Sequence, residues 1–497
     1  MILREIVRGI DILRSYGYDG LEISGISFDS QLIQEGFLFV ALKGEKTDGH
    51  KYIESAVKNG AKALIVEKAP DAAYPGVSVI EVADSRTSLA AAAANFYGHP
   101  TKELSLVGVT GTNGKTTVTY LLESIWNYER KKAGVIGTID YRFGSKKFNA
   151  PMTTPESLDL MRMFREMREY GTDYVAMEVS SHAIDRKRVL ECHFDAAVFT
   201  NLTQDHLDYH GTLEKYLSAK KKLFTELLAS SEKKKKFSII NIDDPSGIEI
   251  AKEAPCDLVT YSITNGSASV GVEDRNITDQ GIRATVNTPF GRVKIQSQLF
   301  GEHNLSNILA AVSAALALGS RVESVEGALS GFTTVPGRLE RIENPFGFQI
   351  LVDYAHTPDA LQNVLMAVRP LTGGRVILVF GCGGDRDTTK RPKMGAIGRE
   401  LSDILIVTSD NPRTESPEGI LDDIEAGVLE GKADHKPYLR ITDRKEAIKQ
   451  AISMARESDT VLIAGKGHED YQILGTKKYP FDDRVIARET ITDLAMR

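Results

Sequence analysis

Val107-Gly108-Val109-Thr110-Gly111-Thr112-Asn113-Gly114-Lys115-Thr116-Thr117 joins a short β-branched run to a glycine turn and then directly to Gly-Lys-Thr. The helical Val118-Thr119-Tyr120-Leu121-Leu122 follows, so the order reads strand, loop, helix. Backbone N–H groups of such a turn and of the first helical residues converge on phosphate oxygens. Lys115 neutralises them, and the Thr116 hydroxyl is placed to hold a magnesium ion. A nucleoside triphosphate is the ligand this implies. The spacing departs from the general G-x-x-x-x-G-K-[ST] pattern, because Val109 stands where the first glycine belongs and Gly108 and Gly111 flank it instead.

Outward from this loop the chain has the alternation of an α/β protein. Upstream, apolar runs at 36–41, 63–67 and 77–82 surround a helical segment at 52–58. A helix at 88–97 ends at Gly98-His99-Pro100, which sets a boundary near residue 100. Downstream, the runs 133–137, 174–179, 196–200 and 237–241 are separated by helical segments, which predicts a parallel sheet covered on both faces. Between 258 and 298 the pattern shifts to short alternating stretches with Gly and Asn turns, a small antiparallel appendage. A helix at 306–318 then restores the α/β pattern. After the hinge-like Val335-Pro336-Gly337, strands at 348–352, 375–380, 404–408 and 460–464 begin a third set. The expected organisation is a small N-terminal α/β domain (1–100), a central P-loop-type domain (101–336) and a Rossmann-like C-terminal domain (337–497).

Composition agrees with three soluble domains: 497 residues, 42% apolar and 26% charged. The net charge of −7 and the lack of aromatics in the lysine run at 233–236 argue against nucleic acid. Cys192, Cys256 and Cys382 show neither metal-ligand spacing nor a disulfide framework. With charges interleaved through the N-terminal residues and no long apolar run, a cytoplasmic, membrane-free protein is expected.

Three further constellations carry chemistry. Tyr174-Val175-Ala176-Met177-Glu178 is a buried-type strand ending in a carboxylate, the place from which an acid meets magnesium, although a strand-end salt bridge has the same pattern. The loop from Thr200 to His210 crowds Asp205, His206, Asp208 and His210 after a strand. His206 reads either as a neutral imidazole ligand or as a structural donor. In the helix at 213–228, the 3.6-residue period sets Leu213, Tyr216, Leu217, Leu223, Phe224, Leu227 and Leu228 on one face with Lys220 near its middle. An inward lysine snorkels or has a partner, and carbamylation by carbon dioxide is one way for it to become a cation ligand. In the third region, Gly381-Cys382-Gly383-Gly384-Asp385-Arg386 lacks the last glycine of a dinucleotide fingerprint. Arg386, Lys390, Arg391 and Arg413 instead gather positive charge suited to anionic substrates, or are solvated loop cations.

Together these motifs resemble the Mur ligase family, ATP-dependent amide-bond-forming enzymes of bacterial cell-wall precursor synthesis. The resemblance spans essentially the whole chain and includes Glu178-Val179-Ser180-Ser181-His182, Gly301-Glu302-His303-Asn304, Pro336-Gly337-Arg338-Leu339-Glu340 and Asp353-Tyr354-Ala355-His356-Thr357-Pro358. Asp29-Ser30, Gly36-Phe37-Leu38-Phe39-Val40-Ala41 and Thr153-Thr154-Pro155 are similar to the members that add the third residue of the stem peptide. Asp410-Asn411-Pro412-Arg413 is similar to those adding diaminopimelate. A guanidinium fork matches the far-end carboxylate that meso-diaminopimelate has and lysine lacks.

The resemblance implies that Gly111, Thr112, Asn113, Gly114, Lys115, Thr116 and Thr117, with Asn304, Arg338, Asp353 and His356, bind ATP. It assigns Ser30, Thr153, Thr154, Ser180 and Arg188 to the UDP-N-acetylmuramoyl-dipeptide. It assigns Arg386, Asp410, Asn411, Pro412, Arg413, Gly465 and Glu469 to the incoming amino acid. Thr116, Glu178, His206 and a carbamylated Lys220 would hold Mg2+, with Lys115, Glu178, His206 and Lys220 as the catalytic set. Arg186 stands where related ligases often carry another polar residue. A monomer is expected, with closure about the 335–337 hinge before chemistry. The rival expectations are a ligase of the same architecture adding lysine, one acting on a folate-polyglutamate, and, more distantly, a P-loop nucleotide switch.

Overall fold

A computed structural model describes residues 1–496 apart from 18, 45–46, 72–73, 279 and 431–435. Three β-sheets with flanking helices follow one another along the chain, and a two-stranded ribbon, Tyr471–Leu474 with Lys477–Pro480, lies near the C-terminus. The N-terminal sheet runs Ile12–Tyr16, Ser78–Val82, Ala63–Val66, Phe37–Val40 and Gly25–Ser27, parallel except for the first pair. Its edge strand Ile12–Tyr16 is exposed throughout and lacks apolar alternation, which is why the sequence pattern does not disclose it. The helix Ser85–Tyr97 starts on the Asp84 carboxylate, which accepts from Arg86 and Thr87 N–H, and ends at Gly98 in the left-handed region.

The central sheet has eleven strands, with Ser105–Thr110 between Tyr174–Glu178 and Ala196–Phe199. All these neighbours are parallel and both faces are buried, so the strands read as continuous apolar runs. The pleat sends Leu106, Val175, Met177 and Phe199 to a cluster shared with the N-terminal sheet, where Leu38, Ile65 and Leu89 also lie. Val107, Val109, Ala176 and Val198 go to the other face, against Leu121, Trp126, Ile308 and Val312.

The 258–298 region is antiparallel from Val270 onward but is not set apart from the main sheet. Asp257–Ser262 still pairs in parallel with Phe237–Asn241, Tyr261 pairs with Val270, and the meander through Gly291–Ser297 extends the same ladder. A hairpin the sequence reading omits, Asp140–Phe143 with Lys146–Asn149, closes the opposite edge. The C-terminal sheet runs Glu340–Arg341, Gln349–Asp353, Thr460–Ala464, Val376–Phe380, Ile404–Val407 and Tyr438–Arg440, parallel after its first pair. Its strand order changes direction beside Thr460–Ala464, so the loops after those strands form a ligand-type crevice. Among the described residues no helix is long and apolar enough to cross a membrane, and the three cysteines are free.

Candidate active site

The strand Ser105–Thr110 delivers its loop at the carboxyl edge of the central sheet, and the helix Lys115–Tyr128 starts from Gly114. Gly111 (φ +146°) and Gly114 (φ +89°) are required there, since a Cβ would sit 1.9 Å from Thr200 Oγ1 and 2.2 Å from Asn307 Oδ1 respectively. Lys115 Nζ donates to the carbonyls of Gly111 and Thr112, both at 2.8 Å. Lys220 Nζ, its residue only 1% exposed, donates to the same Gly111 oxygen at 2.9 Å and lies 4.3 Å from the centre of the Tyr216 ring.

Two lysines therefore converge on one carbonyl. Burial lowers the pKa of both, that of Lys220 most strongly, with Lys115 beside it acting in the same direction. Burial thus favours the neutral amine at Lys220. The helix carrying it is α-helical over Leu213–Lys222 and then π-helical over Leu223–Leu228. Tyr216, Leu223, Phe224, Leu227 and Leu228 are buried as the periodicity predicts, while Leu213, at the solvent-facing start of the helix, is 41% exposed.

Glu178 is 1% exposed. Its Oε1 accepts from Thr116 Oγ1 and from Thr138 N–H, and its Oε2 accepts from Thr138 Oγ1, each at 2.9 Å. The Thr116 hydroxyl and the Glu178 carboxylate thus form a compact oxygen pair beside the loop, the hard-donor chemistry that suits magnesium. His206 is left-handed (φ +54°), uncommon for a residue with a Cβ, and its ring lies 4.8 Å from that of His182. Burial lowers its pKa to about 3, against the opposing pull of Asp205, so a neutral imidazole nitrogen is available. His206 and Lys220 make no hydrogen bond to Glu178 among the described residues.

The facing wall comes from the C-terminal domain. Arg338 donates to Thr116 Oγ1 at 3.2 Å and lies 4.6 Å from the centre of the Tyr354 ring, while its Nε is buried without a partner. Asn113 donates to Asp359 Oδ2 at 3.0 Å. Between the two domains a cleft of about 180 Å³ is lined by Asn113, Gly114, Thr116, Thr117, Asn304, Arg338, Asp353 and His356, together with Asn201, His303, Ser306, Asn307, Tyr354 and Asn363. Asp353 accepts from Leu339 and Ala355 N–H at 2.7 and 2.8 Å, and burial raises its pKa. His356 Nδ1 contacts the Tyr354 carbonyl at 2.8 Å.

Two further groups flank this cleft. Thr154 Oγ1 donates to the Glu178 carbonyl at 2.8 Å and contacts Ser180 Oγ at 3.4 Å, and Thr153 Oγ1 lies 3.1 Å from Thr138 Oγ1. Arg188 donates to Glu156 at 2.9 Å and to the Thr154 carbonyl at 3.1 Å. Ser30 is buried in the N-terminal domain, where its carbonyl accepts from Asn59, and it shares no hydrogen bond with the others among the described residues.

On the C-terminal sheet, Asn411 donates to Glu469 Oε2 at 2.8 Å, and Gly465 (φ +113°) lies against Asp410, whose Oδ2 would be 2.8 Å from a Cβ there. Gly384 passes so close to Pro412 that a Cβ would fall 1.9 Å from its oxygen; the glycine turn serves this contact. Arg413 donates to the Gly384 carbonyl at 2.8 Å, and Arg386 is exposed. Arg391 is not an open anion binder. It is 1% exposed and bonded to Glu415 and Asp423.

The chain matches three family models in order: Mur ligase family, catalytic domain, over 22–97; Mur ligase middle domain over 109–315; and Mur ligase, glutamate ligase domain, over 337–467. The chain belongs to the Mur ligase family. Among curated relatives of this Mur ligase, the UDP-N-acetylmuramoyl-L-alanyl-D-glutamate--2,6-diaminopimelate ligase of Geobacter metallireducens is 47% identical, with 97% of each chain covered. The ligase of the same name from Gloeobacter violaceus is 48% identical, with 95% of this chain and 94% of that one covered. A solved structure of a ligase of that name superposes with a TM-score of 0.71 at 32% identity, covering 100% of this chain and 99% of that one.

For this Mur ligase the sequence names eight of the cleft residues and misses the other wall residues, His303, Asn307 and Tyr354 among them. His303 and Tyr354 stand inside the quoted motifs, so position in a motif was the available signal; Asn307 had none. Acid sensitivity follows from the cleft. Burial lowers the pKa of His303 and of His356 to about 4, against about 6.5 in the unfolded chain. Between those values the unfolded state binds more protons, so stability is full above about pH 6.5 and falls as the pH drops toward about 4. His356→Gln is expected to reduce the loss between about pH 7 and pH 5 by about 2 kcal/mol, read from urea midpoints at each pH; an unchanged loss would show that His356 is not held neutral.

Proposed function

We propose that this Mur ligase is the ATP-dependent enzyme that adds meso-2,6-diaminopimelate to UDP-N-acetylmuramoyl-L-alanyl-D-glutamate in peptidoglycan precursor synthesis, acting as a cytoplasmic monomer. The observation that carries this reading is full-length similarity to ligases of that name, and the cleft agrees with it. One chain supplies all three groups of site residues, which is the reason to read it as a monomer.

In the proposed reaction an oxygen of the D-glutamyl γ-carboxylate attacks the γ-phosphorus of ATP. The bond to ADP breaks and an acyl phosphate forms. The amine then attacks the acyl carbon, phosphate leaves, and the amine gives up a proton. Gly114 and the N-terminus of the Lys115–Tyr128 helix would offer N–H groups for the phosphates, and Lys115 would turn from its loop carbonyls toward them. Thr116, Glu178, His206 and Lys220 as its carbamate would hold magnesium, which supplies charge neutralisation between the two anionic substrates. Lys220 fits carbamylation because a neutral amine is the form that attacks carbon dioxide, releasing one proton. Asn304, Arg338, Asp353 and His356 would bind the rest of the nucleotide. Ser30, Thr153, Thr154, Ser180 and Arg188 would bind the UDP-linked dipeptide. Arg386, residues 410–413, Gly465 and Glu469 would take the amino acid.

The test is ATP-dependent phosphate release with the UDP-linked dipeptide and magnesium, comparing meso-diaminopimelate with L-lysine. Preference for diaminopimelate is expected. Arg413→Met should weaken that preference about 10- to 100-fold, the effect of one charge-assisted pair. Preference of the parent for lysine would overturn the substrate, and release without any amino acid would overturn the ligase reading.

A further inference from the structure

We infer that Lys466 is a positioning residue for the incoming amino acid, fixing the orientation of Glu469 and Asn411; the inference rests on the assignment of those two residues to the amino-acid site. Lys466 is fully buried, an uncommon place for a lysine without an assigned partner. It follows the strand Thr460–Ala464 by two residues, at the carboxyl edge of the C-terminal sheet. Its Nζ donates to Glu469 Oε2 at 3.0 Å and to Asn411 Oδ1 at 3.3 Å. It therefore bridges the loop that contains Arg413 to the loop that contains Glu469.

The bonds leave little freedom. Asn411 Oδ1 accepts from Lys466 and also from Ile473 N–H at 2.9 Å, so the amide nitrogen must point away from both donors. It points to Glu469 Oε2, which it meets at 2.8 Å. That carboxylate oxygen takes both donors, whereas Glu469 Oε1 accepts no hydrogen bond among the described residues. One oxygen of Glu469 is thus locked by the protein and the other is left open for an amine. Removing the Lys466 ammonium frees Glu469 to rotate and leaves its carboxylate without a compensating cation.

The test is a double-mutant cycle on the full-length enzyme with Lys466→Met and Glu469→Gln, reading KM separately for diaminopimelate, ATP and the UDP-linked dipeptide. Lys466→Met is expected to raise KM for diaminopimelate at least tenfold while KM for ATP changes less than twofold. The double variant should be no more than twofold worse than the worse single one, because both changes remove the same oriented carboxylate. Equal rises in all three KM values, multiplying effects in the double variant, or an unchanged KM would overturn the inference. Should Lys466→Met fail to fold, Lys466→Gln, which removes the charge but keeps an amide NH2 donor, is carried through the same cycle. A parent enzyme that responds to neither amino acid would overturn the function proposed above; an active parent without coupling overturns this inference alone. If the parent prefers lysine, the cycle is read with lysine.

Discussion

Lys220→Ala is expected to lower phosphate release by about 10²- to 10³-fold, the scale of losing one preorganised electrostatic group at a reacting centre. The geometry sets the direction. Lys220 is buried, shares the Gly111 carbonyl with Lys115, and has its pKa driven well below the ordinary value by burial. A neutral amine so placed contributes little charge by itself. As the proposed carbamate it would supply two oxygens, with Thr116 and Glu178 as further candidate magnesium ligands. Added formate or acetate should then restore part of the activity of Lys220→Ala, while circular dichroism and the KM for the UDP-linked dipeptide stay near the parent values. Turnover equal to the parent would exclude any role for Lys220 in the reaction. A loss that no short carboxylate relieves would assign Lys220 to structure and not to metal binding.

The largest expected effect on stability lies under the amino-acid site. Arg444 and Asp483 are both fully buried, joined by two hydrogen bonds of 2.7 and 2.8 Å, and Arg444 also donates to the Ala464 carbonyl at 2.9 Å. The pair ties the helices Arg444–Met454 and Asp483–Ala495 to the strand end that leads into Gly465. Asp483→Ala strands the guanidinium in the interior and is expected to remove about 3–5 kcal/mol of stability. Urea unfolding followed in the full chain should show one transition, that of the C-terminal domain, moving to lower denaturant, because a three-domain chain need not unfold in one step. The double variant Arg444→Met/Asp483→Leu should recover most of the loss, since replacing both charges by apolar groups removes the desolvation penalty along with the attraction. An unchanged midpoint for Asp483→Ala would mean that water reaches the pair.

Local sequence determined a large part of this protein. The order of strand, glycine turn, Gly-Lys-Thr and helix depends on neighbouring residues, and so does the alternation of buried runs that gives parallel sheets. The inward direction of Lys220 was also legible, because helical period is a local property and the apolar face around it is nearly complete. The antiparallel strands near 270–297 were legible in kind, although their union with the main sheet was not. Strand periodicity says which residues share a face and nothing about which edge a hairpin joins.

Tertiary structure alone decided which charges meet. Arg391 and Arg413 look alike in the sequence, yet Glu415 and Asp423 engage the first while Arg413 donates to a backbone carbonyl beside the crevice. Lys115 and Lys220 lie far apart in the chain and reach one carbonyl oxygen only after the helix Leu213–Lys222 packs beside the loop. Arg338 finds Thr116 across the boundary between two domains. The physical reason is common to all three: propensity and hydrophobic period act over a few residues, whereas ion pairing and desolvation depend on distances and burial that only the packed chain sets.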